Sequence, residues 1–180
     1  LANSRLDPNQ RKNVEIIRSA SKNLSVIIND ILDLSKIEAG KLDLESTPFS
    51  PEAMVEDVAS LFWEKARSKS IELAIRVAPS VPAMVVGDPT RLNQVVTNLV
   101  NNALKFTDHG HVTMQVDYES TSPSQGNLVV YVKDSGRGIP IEAQHKIFDP
   151  FVQLTQADGQ SAPRDALRGN GLGLSITRTL

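Results

Sequence analysis

Asp134-Ser-Gly-Arg-Gly-Ile-Pro140 and Gly169-Asn-Gly-Leu-Gly173 together hold five of the ten glycines of this 180-residue chain. Upstream of both loops lies Asn98-Leu-Val-Asn-Asn-Ala-Leu-Lys105, a polar segment with helical spacing. Because glycine has no Cβ, a glycine loop lets the backbone approach a ligand closely. A polar helix that faces two such loops is what a nucleotide site with a metal ion requires. These three stretches therefore decide the interpretation of both fold and function.

The composition is that of a soluble globular protein, with 40% hydrophobic and 22% charged residues. A net charge of −2 gives no electrostatic reason to expect nucleic acid or an anionic membrane as a partner. The chain has no cysteine, so disulfides and thiolate metal sites are excluded. No apolar run is long enough to cross a bilayer. We expect a cytoplasmic protein, although a full-length parent could still be membrane-anchored.

The first segment is predicted to form one long helix. Asp7 is a suitable N-cap, Pro8 suits the first helical position, and Gln10 completes a capping-box pattern. We expect the helix to end at Gly40. Since no other segment has a matching apolar seam, we expect it to pack against another helix or a second chain rather than its own domain. The seam repeats at alternating spacings of three and four and comprises Ile17, Ala20, Leu24, Ile27, Ile31 and Leu34, widened by Ile28 and Leu32.

A domain boundary is expected between Gly40 and Pro51, and the rest of the chain alternates helix and strand signals. We predict helices over 51–68, 89–105 and 140–147 and from Gly171 onward, with strands over 71–77, 112–118 and 128–133. The polar residues 119–127 are predicted to be a loop, and 152–170 a functional lid or a disordered segment. This order predicts an α+β fold with helices on one face of a mixed sheet. We expect the apolar faces of the first two of these helices to include Met54, Val55, Val58, Leu61 and Phe62, with Trp63 in or beside the core, and Leu92, Val96, Leu99, Ala103 and Phe106.

Three polar side chains share one stripe of the helix predicted over 89–105. Asn98 and Asn102 are one turn apart, and Lys105 follows three residues later. An amide oxygen is a hard, neutral ligand that suits Mg²⁺, and a lysine can serve as a point charge for phosphates. A solvated polar face is the alternative interpretation of this stripe.

Asp134 directly follows a predicted strand, so its carboxylate could accept a hydrogen bond from an exocyclic amine such as that of adenine. Gly136 and Gly138 would let the base lie against the backbone. A plain turn explains the Asp-Ser-Gly sequence equally well.

The second glycine loop, Gly169-Asn-Gly-Leu-Gly173, leads into the last predicted helix. Backbone N–H groups at this position favour phosphate. No strand precedes the loop, so a dinucleotide-binding fingerprint is excluded. Before it, Phe148 and Phe151 form either a hinge under the nucleotide or ordinary core. Arg164 and Arg168 could reach a γ-phosphate or be solvated.

In this order the blocks resemble the N, G1, F and G2 boxes of the sensor histidine kinase family. Asn29-Asp-Ile-Leu-Asp-Leu-Ser-Lys-Ile-Glu-Ala-Gly40 also resembles the second dimerisation helix of hybrid kinases. The resemblance implies a Bergerat-type, Hsp90-like α/β sandwich preceded by a long helix of a dimerisation bundle. Residues 1–45 would then be the second helix and linker of a dimerisation and phosphoacceptor hairpin whose other helix is absent. Residues 46–180 would be an ATP-binding catalytic domain, incomplete at its C-terminus.

The resemblance also implies ATP and Mg²⁺ as ligands. Asn98 and Lys105 would serve catalysis and bind the nucleotide, and Asn102 would be the Mg²⁺ ligand. Two departures from the family pattern are Asn170, where a small hydroxyl residue is common, and 165–167, which replaces a basic and aromatic stretch. The remaining nucleotide-binding residues would be Asp134, Gly136, Gly138 and Ile139 at the base, Phe148 and Phe151 in the F box, and Gly169, Gly171, Leu172 and Gly173 on the phosphate side.

The function implied is transfer of the γ-phosphoryl of Mg·ATP to a histidine and then to a receiver aspartate. In the family an acidic residue follows the phosphoacceptor histidine, whereas glycine, valine and lysine follow His109, His111 and His145. We expect these three histidines to lie at the surface and the chain by itself to be unable to phosphorylate itself. Expected partners are ATP or ADP, a second copy through the seam 17–34, and a response-regulator receiver domain.

Two other functions remain open on the residues. A gyrase-like or Hsp90-like ATPase uses a glutamate about one turn before the metal-binding asparagine. This chain has Asn98 there, which cannot act as a general base. A degenerate kinase that acts only as a regulatory dimerisation module would retain the helix seam, but the intact boxes argue against it.

Overall fold

The computed structural model describes residues 7–122, 124–153 and 171–180. The chain divides into two compact units, Leu1–Leu42 and Asp43–Leu180. Within the described ranges, no helix combines the length and apolar character that crossing a bilayer requires.

The first unit is built on α1, Pro8–Glu38, which begins as predicted. One carboxylate oxygen of Asp7 accepts hydrogen bonds from the backbone N–H groups of Asn9 and Gln10, at 2.8 and 2.9 Å. The side chain of Gln10 in turn accepts from the N–H of Asp7 at 3.1 Å. The capping box is therefore confirmed.

The end of α1 is also the predicted one. Gly40 has φ +63°, and the N–H of Lys41 donates to the carbonyl of Lys36 at 2.8 Å. The N–H of Gly40 bonds the carbonyl of Ile37 at 2.9 Å, which completes a Schellman motif.

The apolar stripe of α1 is exposed. Most of its members have between 36% and 64% of their surface accessible, so the helix buries little of the face that its heptad spacing creates. These residues are Ile17, Leu24, Ile27, Ile28, Ile31 and Leu32.

In the second unit, the residues that the structure describes form two sheets. The strands β2 (Ile71–Val77), β4 (Gly110–Ser122) and β5 (Gln125–Asp134) form a mixed sheet in that order, with β2 parallel to β4 and β4 antiparallel to β5. A separate antiparallel pair joins β1 (Thr47–Phe49) and β3 (Val85–Gly87). The elements are β1 (Thr47–Phe49), α2 (Pro51–Ser68), β2 (Ile71–Val77), β3 (Val85–Gly87), α3 (Pro89–Phe106), β4 (Gly110–Ser122), β5 (Gln125–Asp134), the 3-10 turns Ile141–Ala143 and Lys146–Phe148, and α4 (Gly173–Thr179).

Both long helices of this unit begin at the predicted residues, and each start is capped by a side chain. The Ser50 hydroxyl accepts from the N–H of Ala53 at 3.3 Å, and Asp88 accepts from the N–H of Arg91 at 2.9 Å. The other carboxylate oxygen of Asp88 accepts from the N–H of Glu45 at 3.0 Å. The cap of α3 therefore also holds the segment that leads into β1.

The core lies between α2, α3 and one face of the mixed sheet. Along β4 the buried residues alternate with half-exposed ones, as a strand that is covered on one face requires. The side chains of this core that are fully buried are those of Val55, Val58, Val96, Val100, Leu104, Val112, Met114 and Val116.

The predicted apolar faces of α2 and α3 are partly wrong. Leu61 is 69% exposed and Trp63 is 56% exposed, so neither side chain lies in the core, although Trp63 lines a surface pocket beside Ala59 and Leu73. On α3, Val100 and Leu104 are buried instead of Leu99 and Phe106. The apolar stripe of α3 is wide, and the position of the sheet decides which edge of it is covered.

Two further predictions fail in detail, and two short strands were missed. The loop predicted over 119–127 is mostly strand, because β4 and β5 stay paired as far as Ser122 and Gln125. The helix predicted over 140–147 is instead the pair of 3-10 turns. Strands β1 and β3 were not predicted, since three-residue strands, one of them containing Pro48, show no alternation.

Candidate functional site

The polar stripe of α3 lies beside the start of α4. The side chains of Asn98, Asn102 and Lys105 are each half-buried. The amide Nδ2 of Asn98 donates to the carbonyl oxygen of Gly173 at 3.4 Å. The structure therefore brings together the helix and the second glycine loop, which are far apart in sequence.

The first glycine loop is pressed against the end of α3. Asp134 ends β5, and its Oδ1 accepts from the N–H of Gly136 at 2.9 Å. A Cβ at Gly136 would lie 2.5 Å from the carbonyl oxygen of Phe106, so only glycine allows this approach. The N–H of Arg137 also points to that carbonyl, at 3.5 Å. The loop position is thus set by α3.

β4 holds the same loop from its other side. The hydroxyl of Ser135 accepts from the N–H of His111 at 2.9 Å, and the N–H of Ser135 donates to the carbonyl of His111 at 3.1 Å. Asp134, Gly138 and Ile139 are all exposed, so the loop presents both its carboxylate and its backbone to solvent.

A backbone hydrogen bond joins Phe151 to Gly171. The N–H of Phe151 donates to the carbonyl of Gly171 at 3.0 Å. Gly171 has φ +72°, and a Cβ there would lie 2.8 Å from the carbonyl carbon of Phe151. Phe151 itself has φ +64° and is 63% exposed, so it is not core. Phe148 is half-buried, and the Arg178 guanidinium lies 5.6 Å from its ring centroid.

The short helix α4 is anchored by its own apolar residues. Leu172 and Ile176 are fully buried, and the hydroxyl of Ser175 donates to the carbonyl of Leu172 at 2.7 Å. Only the backbone of Leu172 could therefore meet a ligand. Gly169, Asn170, Arg164 and Arg168 lie outside the described residues.

A group of cations around Phe106 was not predicted. The Lys105 Nζ and the Arg137 Cζ each lie 4.9 Å from the centroid of the Phe106 ring. Burial, and then the charge of Arg137, lower the pKa of Lys105. Burial, followed by the charges of Lys69 and Lys105, lowers the pKa of Lys65. The sequence feature that could have indicated this group of cations is Arg137, which stands between the two glycines of the first loop.

The donor atoms at the site suit a metal ion that arrives with phosphate. Among the described residues, no group of three or more histidines, cysteines, aspartates or glutamates could hold a metal ion alone. Amide oxygens such as those of Asn98 and Asn102 are neutral, so they supply too little charge to bind Mg²⁺ tightly by themselves. Phosphate oxygens would have to complete the set, as is usual for Mg²⁺.

Two family models match this sequence. Residues 87–180 match the model described as Histidine kinase-, DNA gyrase B-, and HSP90-like ATPase. Residues 1–40 match the His Kinase A (phospho-acceptor) domain.

Known proteins resemble the chain over nearly its whole length. Signal transduction histidine-protein kinase BarA of Escherichia coli (strain K12) is 41% identical over 175 residues, which cover 97% of this chain and 18% of that protein. Histidine kinase 3 of Arabidopsis thaliana is 36% identical over 225 residues, covering 100% of this chain and 21% of that protein. The chain thus spans about a fifth of the length of these relatives.

The solved structure of full-length ShkA in complex with AMPPNP superposes with a TM-score of 0.77 at 30% identity. The match covers 99% of this chain and 35% of ShkA. This likeness and the mixed sheet confirm the predicted fold class.

Proposed function

The chain belongs to the sensor histidine kinase family, and on that premise we propose that it is the ATP-binding catalytic region of a two-component protein-histidine kinase. Residues 1–45 would supply the second helix of the dimerisation hairpin and the linker, and residues 46–180 the catalytic domain. The reaction is transfer of the γ-phosphoryl of Mg·ATP to a histidine and then to the aspartate of a receiver domain.

One observation carries the proposal: α3 contacts both glycine loops. It meets the second loop through Asn98 and Gly173, and it meets the first through Phe106 and Gly136. A single ligand that spans the exposed face of α3 could therefore touch both loops at once, as a nucleotide with its base at one end and its phosphates at the other would.

The base would lie at the first loop. The carboxylate of Asp134 accepts from the exocyclic amine of adenine, while Gly136, Gly138 and Ile139 lie beside the ring. The bond from the Gly136 N–H to Asp134 Oδ1 supports this role, because it orients the carboxylate before a ligand arrives.

The phosphates would lie along the polar stripe of α3. Lys105 supplies positive charge, Asn98 and the backbone of Gly171 to Gly173 flank the phosphates, and Asn102 is the ligand for Mg²⁺. Bound Mg²⁺ would neutralise part of the phosphate charge. As in other phosphoryl transfers, catalysis would consist largely of positioning and of stabilising charge.

The acceptor histidine would lie outside these 180 residues. His109, His111 and His145 are all exposed on the second unit, and none belongs to α1. The partners would be a second copy of the kinase, joined through the seam of α1, and the receiver domain.

Net ATP hydrolysis is not favoured by this site. At the position where a hydrolase needs a general base, the chain carries Asn98, whose amide nitrogen is engaged with Gly173. A neutral amide cannot take a proton from water. We therefore expect only slow release of inorganic phosphate.

Calorimetry with ATP and magnesium tests the binding step directly. The wild-type chain should bind, and Asp134→Asn should weaken the affinity at least about tenfold, since one lost charged hydrogen bond is worth about 1.5–3 kcal/mol. Asparagine can still accept from the Gly136 N–H, so the melting temperature should hardly change. A folded wild-type chain that gives no heat with ATP would refute the proposal.

The transfer step requires the full-length parent and labelled ATP. An acid-labile, alkali-stable label on the protein indicates phosphohistidine. Binding without any such label would instead favour the regulatory module, whereas rapid phosphate release would favour the ATPase.

A further inference from the structure

We propose that Arg137 is a specificity-determining residue that makes this site select nucleotides by their number of phosphates. Arg137 and Lys105 would form a two-cation site on the ring of Phe106, which we term the Phe106 cation pair. This inference rests on the proposed function, because the ligand it concerns is the polyphosphate chain of the nucleotide.

The position of Arg137 is set by backbone geometry and not by its side chain alone. Its N–H points to the carbonyl of Phe106 at 3.5 Å, and the neighbouring Gly136 is packed against the same carbonyl. The guanidinium then lies 4.9 Å from the ring centroid of Phe106, within the range of a cation–π contact. Arg137 is exposed, so its charge remains open to a ligand.

The second cation of the pair is Lys105, at the same distance from the same ring. Within the described ranges, neither Lys105 nor Arg137 forms an ion pair with a carboxylate. The charge of Arg137 contributes to the lowered pKa of Lys105, and Lys105 in turn contributes to that of Lys65. The free site therefore holds like charges close together, and a bound polyanion would relieve their repulsion.

A comparison within the chain separates this arrangement from an ordinary surface contact. Lys133 lies 5.4 Å from the ring centroid of Tyr131, and it also donates to the side chain of Gln115 at 3.2 Å. That contact involves one cation and a neutral acceptor. The Phe106 cation pair instead has two cations on one ring. A cation–π contact needs only one cation, so such a contact by itself does not explain the presence of the second.

The expected selectivity follows from the number of phosphate groups that the two cations can contact. AMP offers a single phosphate group, which Lys105 alone can contact, so the added charge of Arg137 matters less for AMP. ADP and ATP carry additional phosphate groups, which offer further negatively charged oxygens. The contribution of a second cation to the binding affinity should therefore increase with each phosphate. Arg137 should therefore raise the affinity for ATP more than that for AMP.

The test is calorimetry with ATP, ADP and AMP, each with magnesium, on wild type, Arg137→Gln and Arg137→Lys. Lys133→Gln is the matched control, since it removes an exposed cation from an aromatic ring outside the site. We expect Arg137→Gln to lower ATP affinity about five- to tenfold and AMP affinity less than about twofold, with the ATP loss shrinking as salt rises from about 0.05 to 0.3 M. Arg137→Lys should keep most of the affinity, and Lys133→Gln should match wild type.

Two results would overturn the inference while leaving the proposed function intact. One is an unchanged ATP affinity in Arg137→Gln while Asp134→Asn abolishes binding. The other is an equal loss for ATP and AMP, which would mean that Arg137 acts on the base or on the loop. A wild-type chain that binds none of the three nucleotides would overturn both proposals together.

Discussion

The side-chain amide of Asn98 donates a hydrogen bond to the backbone carbonyl of Gly173, across 75 positions of sequence. The bond joins the middle of α3 to the first turn of α4. The position of the second glycine loop therefore depends on the helix that carries the polar stripe. We expect a substitution in the loop to affect that helix as well.

Two alanine substitutions in the second loop should have opposite outcomes. In Gly171→Ala, the positive φ and a Cβ 2.8 Å from the Phe151 backbone should together cost about 1–3 kcal/mol of unfolding free energy. In Gly173→Ala, the Cβ would lie 3.4 Å from Asn98 Cγ, which is an ordinary contact. Because alanine is the better helix former, the unfolding free energy of this variant should rise. Urea unfolding of both variants measures the difference. Equal stabilities would show that the contact between Phe151 and Gly171 contributes nothing.

Replacing Lys105 by methionine should stabilise the fold and weaken nucleotide binding. Burial and the charge of Arg137 lower the pKa of Lys105 below its ordinary value of 10.5, so the charged lysine opposes folding at neutral pH. Lys105→Met removes that charge, and its melting temperature at pH 7 should rise while its ATP affinity falls. Lys133→Met, outside the site, should leave the ATP affinity unchanged.

The same shift predicts how stability depends on pH. Since the folded pKa of Lys105 lies below the unfolded one, the unfolded chain holds more protons in the window just below 10.5. Wild-type stability should therefore gain a contribution as the pH rises through that window, and Lys105→Met should lack it. A variant with the same pH slope as wild type would contradict the assignment. Lys65, whose pKa is lowered in the same direction, contributes to the slope in both proteins.

The seam of α1 should control self-association. Ile27 and Ile31 are 36% and 43% exposed, and a charge at either would have to be buried in a helix–helix contact. Ile27→Glu and Ile31→Glu should shift the chain toward monomer in sedimentation equilibrium. Val26 is 51% exposed and lies off the seam. The control variant Val26→Glu should therefore not shift the chain toward monomer. If all three variants keep the wild-type mass, the dimer does not form through this seam.

The caps show how far local sequence could carry the prediction. Asp7, Ser50 and Asp88 each accept a hydrogen bond from an N–H three residues later. Such bonds depend on few neighbouring residues, so helix starts could be predicted from pattern alone. Pattern alone could not predict which edge of α3 is buried. The apolar residues of α3 cover a wide face, and the position of the sheet decides which of them are covered.

The sequence by itself determined where the three long helices begin, which loops carry the glycines, and which family the blocks resemble. Tertiary structure alone decided that Asn98 meets Gly173, that Arg137 and Lys105 share the ring of Phe106, and that Trp63 stays exposed. The physical reason is distance along the chain. A cap is satisfied within one helical turn, whereas these contacts and burials exist only after packing has brought separate elements together.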